Sequence, residues 1–266
     1  MLIFVFIGGI ALVTAFTLRV NVIKFSFSGV NNINQERATL EYTQRVGAVA
    51  KGKNMLFALD RPRVKEVIEA DPLARVTSIH AKFPDKLQID VEERAPMYFF
   101  RHGDDFAVLD RELQVISVNA NLKNRDVPVD ITDQFTMPDD FTGFTLGQNF
   151  NDLVAIEDTE KARVLVDMLA YFLSKKNPRT ETELCYLMRN IVFTNTKMTI
   201  KLEDPKNLGT NILIELKSYA VDFAKKLDRA WSTFEAMSFS VPGIIIVSAN
   251  LADDIMFLPS NPAAGL

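Results

Sequence analysis

Adjacent acids recur along the chain, at Glu92-Glu93, Asp104-Asp105, Asp139-Asp140 and Asp253-Asp254, and paired carboxylates are a common means of general acid–base chemistry. Neighbouring residues on a strand project to opposite faces, so none of these pairs converges on one point by itself. Converging carboxylates would have to come from separate segments. The two histidines are His80, in a strand-like run, and His102, beside Gly103 in a turn. Neither has a second His, a Cys or an i+4 carboxylate at a metal-ligating spacing. The single cysteine, Cys185 in "ELCYLM", rules out an intramolecular disulfide, a cysteine-based zinc cluster and a CxxC pair made from this chain alone. It reads as a small buried apolar residue. GxSxG, GxGxxG and GxxxxGK[ST] are absent. Hence no catalytic residue, no metal ligand and no cofactor are predicted.

Thirty Lys and Arg against 34 Asp and Glu give a net charge of −4 over 266 residues, with none of the basic excess of a nucleic-acid binder. With 48% hydrophobic residues, the chain has enough apolar content to bury a core. The opening run "MLIFVFIGGIALVTAFTL" carries no charge, and a bilayer core requires about 20 such residues. Residues 1–18 therefore read as a transmembrane anchor. A cleaved signal peptide is the rival reading, with "VTA" as its cleavage site, but the basic segment that should precede the apolar run is missing. Arg19 and Lys24 follow the run, which by charge alone favours a cytoplasmic body.

Downstream, "VNVIKFSFSGV" alternates into a Ser28-Gly29 turn, and "NINQERATLEYTQRV" is weakly helical. In "LDRPRVKEVIEADP", Asp60 is placed as N-cap and Pro62 in the first turn, while Val64, Val67 and Ile68 share a face. "RVTSIHAKF" and "KLQIDVEE" read as two strands about a Pro84-Asp85 turn. In the first of these, Thr77, Ile79, Ala81 and Phe83 are expected on one side and Val76, Ser78, His80 and Lys82 on the other. The order is βααββ, an α+β unit.

From Met97 the texture changes to a meander, "MYFF", "FAVLD" and "LQVIS", and then to a loop-rich stretch over 118–152. A helix over 158–175 follows, then strands at "ELCYLM", "NIVFT", "KMTIKLE" and "NILIEL". A second helix over 219–237 carries Phe223, Leu227, Trp231 and Phe234 on its packing face. The last strand is "GIIIVSA", Gly243, Ile244, Ile245, Ile246, Val247, Ser248 and Ala249. It is either an interior strand or an edge that could accept another chain's strand.

Gly52-Lys53-Asn54, "VKEVIEADPLARVTSIHAKFPDKLQIDVEERAP" and "FAVLDRELQVIS" resemble the cell-division family FtsQ, called DivIB in Gram-positive bacteria. The spacing P-x-x-L-x-I-x-V-x-E-R-x-P is matched by Pro84, Leu87, Ile89, Val91, Glu93, Arg94 and Pro96. "DRELQ" at 110–114 lacks the glycine that often follows the aspartate in that family. The resemblance implies a transmembrane anchor at 1–18, a POTRA domain at 20–94, a β domain with two helices at 95–258 and a disordered tail at 259–266. It further implies a single-pass protein of the cell membrane at the division septum, with an extracytoplasmic body that is not an enzyme. The implied role is a divisome scaffold that binds FtsL and FtsB/DivIC and helps regulate septal peptidoglycan synthesis, with the septal peptidoglycan synthase as a further partner. By position, the family's partner-binding strand falls on Gly243 to Ala249. Glu93, Arg94 and Pro96 fall at the module junction, where Glu93 and Arg94 are expected to fix the angle between modules and Pro96 to end the strand. A POTRA-bearing transport component and an extracytoplasmic enzyme with no nameable site are the competing readings. The first of these would need a long β-barrel after the module.

Overall fold

The computed structural model describes residues 18–29, 32–54, 58–120, 129–175, 184–203, 211–236 and 242–259. The chain divides into two compact units, one ending at Ala95 and one beginning at Pro96.

The first unit follows the βααββ order: β1 (Val22–Ser28), α1 (Gln35–Ala50), α2 (Arg61–Glu69), β2 (Ala74–Lys82) and β3 (Lys86–Glu93). The sheet order is β1-β3-β2, with β1 parallel and β2 antiparallel to the central β3. Asn34 caps α1 by accepting from the Arg37 amide, and Asp60 caps α2 by accepting from Arg63, with Pro62 in its first turn. These side chains satisfy donors that the helix starts leave open. The core joins Tyr42 and Val46 of α1 and Val64 and Ile68 of α2 to Leu87, Ile89 and Val91 of β3. Tyr42 is fully buried, and its hydroxyl donates to Asp71 at 2.7 Å.

The alternation expected in β2 is broken. Val76 opposes Val91 and Ile79 opposes Ile89, with a bulge between Val76 and Ser78. The inserted residue puts Val76 and Ile79 on the same core face, three positions apart, instead of on opposite faces. The Glu69 carboxylate accepts from the Val76 amide at 2.8 Å beside the bulge.

The second unit contains a four-stranded sheet, order β6-β5-β4-β7, and a five-stranded sheet, order β12-β11-β10-β9-β8. The first is built from β4 (Tyr98–His102), β5 (Asp105–Leu109), β6 (Val115–Val118) and β7 (Val129–Asp130). The second is built from β8 (Met188–Phe193), β9 (Lys197–Glu203), β10 (Asn211–Lys217), β11 (Gly243–Val247) and β12 (Met256–Pro259). The helices are α3 (Thr159–Leu173) and α4 (Phe223–Ala236). One core gathers Tyr98, Phe100 and Leu109, the α3 residues Leu165, Leu169 and Phe172, the α4 residues Leu227 and Phe234, and Ile200, Ile214, Ile245 and Val247.

Within "ELCYLM" the expected strand begins only at Met188, the first residue of β8, and Leu184–Leu187 is a short 3₁₀ turn that leads into it. It buries Cys185 and Leu187 on a tight turn instead of a ladder. Pro259, expected in the tail, is the last residue of β12, while 260–266 lie outside the described residues. The expected anchor also lies outside them, except for Leu18. Among the described residues, no helix is long and apolar enough to cross a membrane.

Candidate functional site

The acids of the adjacent pairs meet separate partners or solvent. Glu92 pairs with Arg75, while Glu93 turns to the opposite face, as its position on a strand requires. Asp105 accepts from Asn119, and Asp139 and Asp140 sit exposed in a turn. His80 and His102 are both exposed, and the His102 ring stands edge-on to Phe141. Among the described residues, no three His, Cys, Asp or Glu side chains are grouped as a metal site.

Most of the β3 motif is buried. Pro84 lies exposed in the β2–β3 turn, and Leu87, Ile89 and Val91 are core residues. Glu93 occupies the next inward position, 5% exposed. Its carboxylate accepts from the Asn32 amide at 2.9 Å, the Asn32 side-chain amide at 2.6 Å and the Ile33 amide at 2.9 Å. It thus holds the approach to α1, directly ahead of the capping Asn34. Arg94 is buried, donates from its amide to Leu73 O at 2.8 Å, and directs Nε at Ala74 O. These bonds join β3 and the residue after it to the start of α1 and to β2, all within the first module. Pro96 is buried, but β3 has already ended at Glu93.

On the outer face of that sheet, Asp90 accepts from Ser78, and from Gln88 at 3.2 Å. The Ser78 bond foremost, then Gln88 with the charges of His80 and Lys82, holds its carboxyl below the usual range despite some desolvation.

The last strands hold the candidate binding surface. Gly243–Val247 is not an edge: β11 lies between β10, which it meets in parallel, and β12, which it meets antiparallel. A parallel neighbour needs a crossover, and α4 supplies it, so β11 is delivered into the sheet interior. Ile245 and Val247 are fully buried on the face toward α4, while Ile244 and Ile246 are half-buried on the other face. Ser248 and Ala249 follow the strand, half-buried and exposed respectively.

Among the described residues, the edge of the sheet beyond β11 is therefore β12. Its Phe257 packs on the core, and Met256 and Leu258 are 55% and 44% exposed. Across the ladder, Leu258 opposes Ile244, which opposes Leu213, and Met256 opposes Ile246. The outer face thus carries an apolar strip that ends at β12, whose far side pairs with no other strand among the described residues. The close seat of β12 depends on Gly243, where a Cβ would stand 2.5 Å from Leu258 O and 2.6 Å from the Phe257 ring. Arg229 of α4 donates to the carbonyls of Leu251 and, at 2.9 Å, Asp253, which fixes the connection between β11 and β12.

Sequence reasoning missed Met256–Pro259 and Arg229. The one available signal was Pro259, since proline within a sheet is confined to edges and strand ends.

Residues 25–94 match the model of the POTRA domain, FtsQ-type. Over 108 residues the chain is 23% identical to the cell division protein DivIB of Clostridium acetobutylicum, a match covering 40% of this chain. It covers 43% of that relative's length, so the chain spans less than half of it in the alignment. The βααββ module with its inward Glu93 matches the FtsQ-type POTRA domain, and that match together with the similarity to DivIB supports the FtsQ/DivIB family of cell-division proteins.

Proposed function

We propose that this protein is a membrane-anchored scaffold of the bacterial divisome that acts by binding and not by catalysis. Residues 1–18 anchor it in the cell membrane at the septum, with the body on the extracytoplasmic side. Its partners are FtsL and FtsB/DivIC, and through them it helps regulate septal peptidoglycan synthesis. The FtsQ-type POTRA domain and the similarity to DivIB support the cell-division role. The observation that carries the binding role is the edge of β12, unpaired among the described residues and bordered by Met256, Leu258, Ile244 and Ile246. An edge strand of this kind offers main-chain hydrogen bonds to an incoming strand, and the apolar strip beside it offers side-chain contacts. This reading moves the contact strand from Gly243–Ala249 to Met256–Pro259. Charged substitutions at Ile245 or Val247 are consequently poor probes, because both side chains are fully buried and would damage the fold.

The test is titration of the full-length chain, in detergent or nanodiscs, with FtsL and FtsB/DivIC. Binding at micromolar concentration is expected, and Leu258→Lys should weaken it by about tenfold or more, the loss of one good anchoring contact. An intact fold with no complex would refute the scaffold reading.

A further inference from the structure

The end of the POTRA module at which the chain enters it is strongly basic. Val20 donates to Lys53 O at 3.0 Å and Gly52 donates to Val20 O at 2.8 Å, which ties the entering strand to the Lys51–Asn54 loop. Asn21 and Val22 both donate to Asp85 O, at 3.0 and 3.1 Å. Val22 opposes Lys86, and Lys86 opposes Lys82. One end of the module therefore collects residues 18–22, 51–54 and 82–86. These include Arg19, Lys51, Lys53, Lys82 and Lys86, all exposed, against Asp85 as the single acid. The local charge is 5 − 1 = +4 in a chain whose net charge is −4. At the hairpin tip the aromatic ring of Phe83 is 60% exposed. The uncharged apolar run of residues 1–18 ends immediately before Arg19.

We propose that this end of the module is a membrane-surface site for anionic phospholipid headgroups, with the lysines on phosphates and Phe83 at the interface. The inference rests on the reading of residues 1–18 as the anchor. From Leu18 to Val22 the chain spans at most about 14 Å, and the headgroup layer is roughly 5–7 Å thick. The β2–β3 tip therefore lies within a lysine side chain and one Debye length, about 8 Å, of the charged surface. Lysines that reach for phosphate and aromatics at headgroup depth are the residue types that such a boundary selects. Either leaflet can supply anionic lipid, so the site does not depend on which side the body occupies.

The full-length chain is reconstituted into phosphatidylcholine vesicles with and without phosphatidylglycerol. A fluorophore is placed at Phe83→Cys in a Cys185→Ser background, and quenching by brominated lipid is read against the same label at Leu40→Cys. Strong quenching at position 83, weak quenching at 40 and dependence on phosphatidylglycerol are expected. Each lysine near an anionic surface contributes about a fivefold factor, so changing Lys51, Lys53, Lys82 and Lys86 together to Gln should remove most of that quenching. Equal quenching at 83 and 40, or quenching at 83 indifferent to phosphatidylglycerol and to the four substitutions, overturns the proposal. Flotation with neutral vesicles reports the anchor separately. If the chain does not float with them, the anchor reading fails, and the surface site must then show as flotation with phosphatidylglycerol vesicles that the four substitutions abolish. Absence of that flotation also overturns the proposal.

Discussion

Replacing Glu93 by alanine tests whether the charged end of the β3 motif is structural. The carboxylate is 5% exposed and accepts from two backbone amides, Asn32 and Ile33, and from the Asn32 side chain. Truncation leaves those amides without this acceptor, at about 1–3 kcal/mol for each buried unsatisfied group. The site is partly open at the helix approach, so water recovers some of that loss and the low half of the range applies. A net destabilisation of about 2–4 kcal/mol follows for the first module, a large share of the 5–15 kcal/mol typical of a domain. Glu93→Gln keeps one acceptor oxygen but turns an NH₂ group toward the donors, and should lose about half as much. Amide hydrogen exchange under native conditions, followed through α1 and β3, reads the change directly. Opening free energies in α1 should fall for Glu93→Ala while those of β9 and β10 stay unchanged. A fall below about 0.5 kcal/mol, the level of an ordinary surface substitution, would refute the reasoning.

Gly243→Ala should lift β12 from β11, because the added Cβ meets backbone and ring atoms at 2.5–2.7 Å. Overpacking of this kind costs about 1–3 kcal/mol, seen as a drop in Tm of a few degrees and, on the proposed function, as weakened binding of FtsL and FtsB/DivIC. Lys226→Met removes the donor that reaches Lys217 O at 2.9 Å and Ser218 O at 2.7 Å from a fully buried position. The turn it holds contains positive-φ Ser218 and Asp222, and urea unfolding should show a loss of about 1–3 kcal/mol. Ser78→Ala should raise the Asp90 pKa toward its ordinary value, as followed by carboxyl NMR titration. Because the folded-state pKa is depressed, the stability difference from the parent should be present above the ordinary aspartate range and vanish as pH falls through the folded pKa.

Much of the first module is legible in its sequence because its signals are local. Asp60 followed by Pro62 announces a helix start, and Leu87, Ile89 and Val91 alternate against Gln88, Asp90 and Glu92. The β2 bulge is not legible, since nothing in "RVTSIHAKF" distinguishes a strand with an extra residue from a regular one. Only the opposition of Val76 and Ile79 to Val91 and Ile89 reveals it. Glu93 is similar: its acceptor role depends on Asn32, 61 residues away. In the second unit, β9 and β10 declare themselves by alternation, whereas β12 is four apolar residues with no polar alternation. The position of β11 depends on a parallel crossover, which local pattern does not encode. The choice between edge and interior for "GIIIVSA" therefore had to wait for strand order.

The central claim is that β12 is the edge onto which the divisome partners add. The measurement that tests it most directly is hydrogen exchange of the Met256 to Leu258 amides in the full-length chain, with and without FtsL and FtsB/DivIC. Addition of a strand predicts at least about tenfold slower exchange of outward amides there, while the already paired amides of β11 change little. A complex that forms while the β12 amides exchange at their free rate would contradict the account.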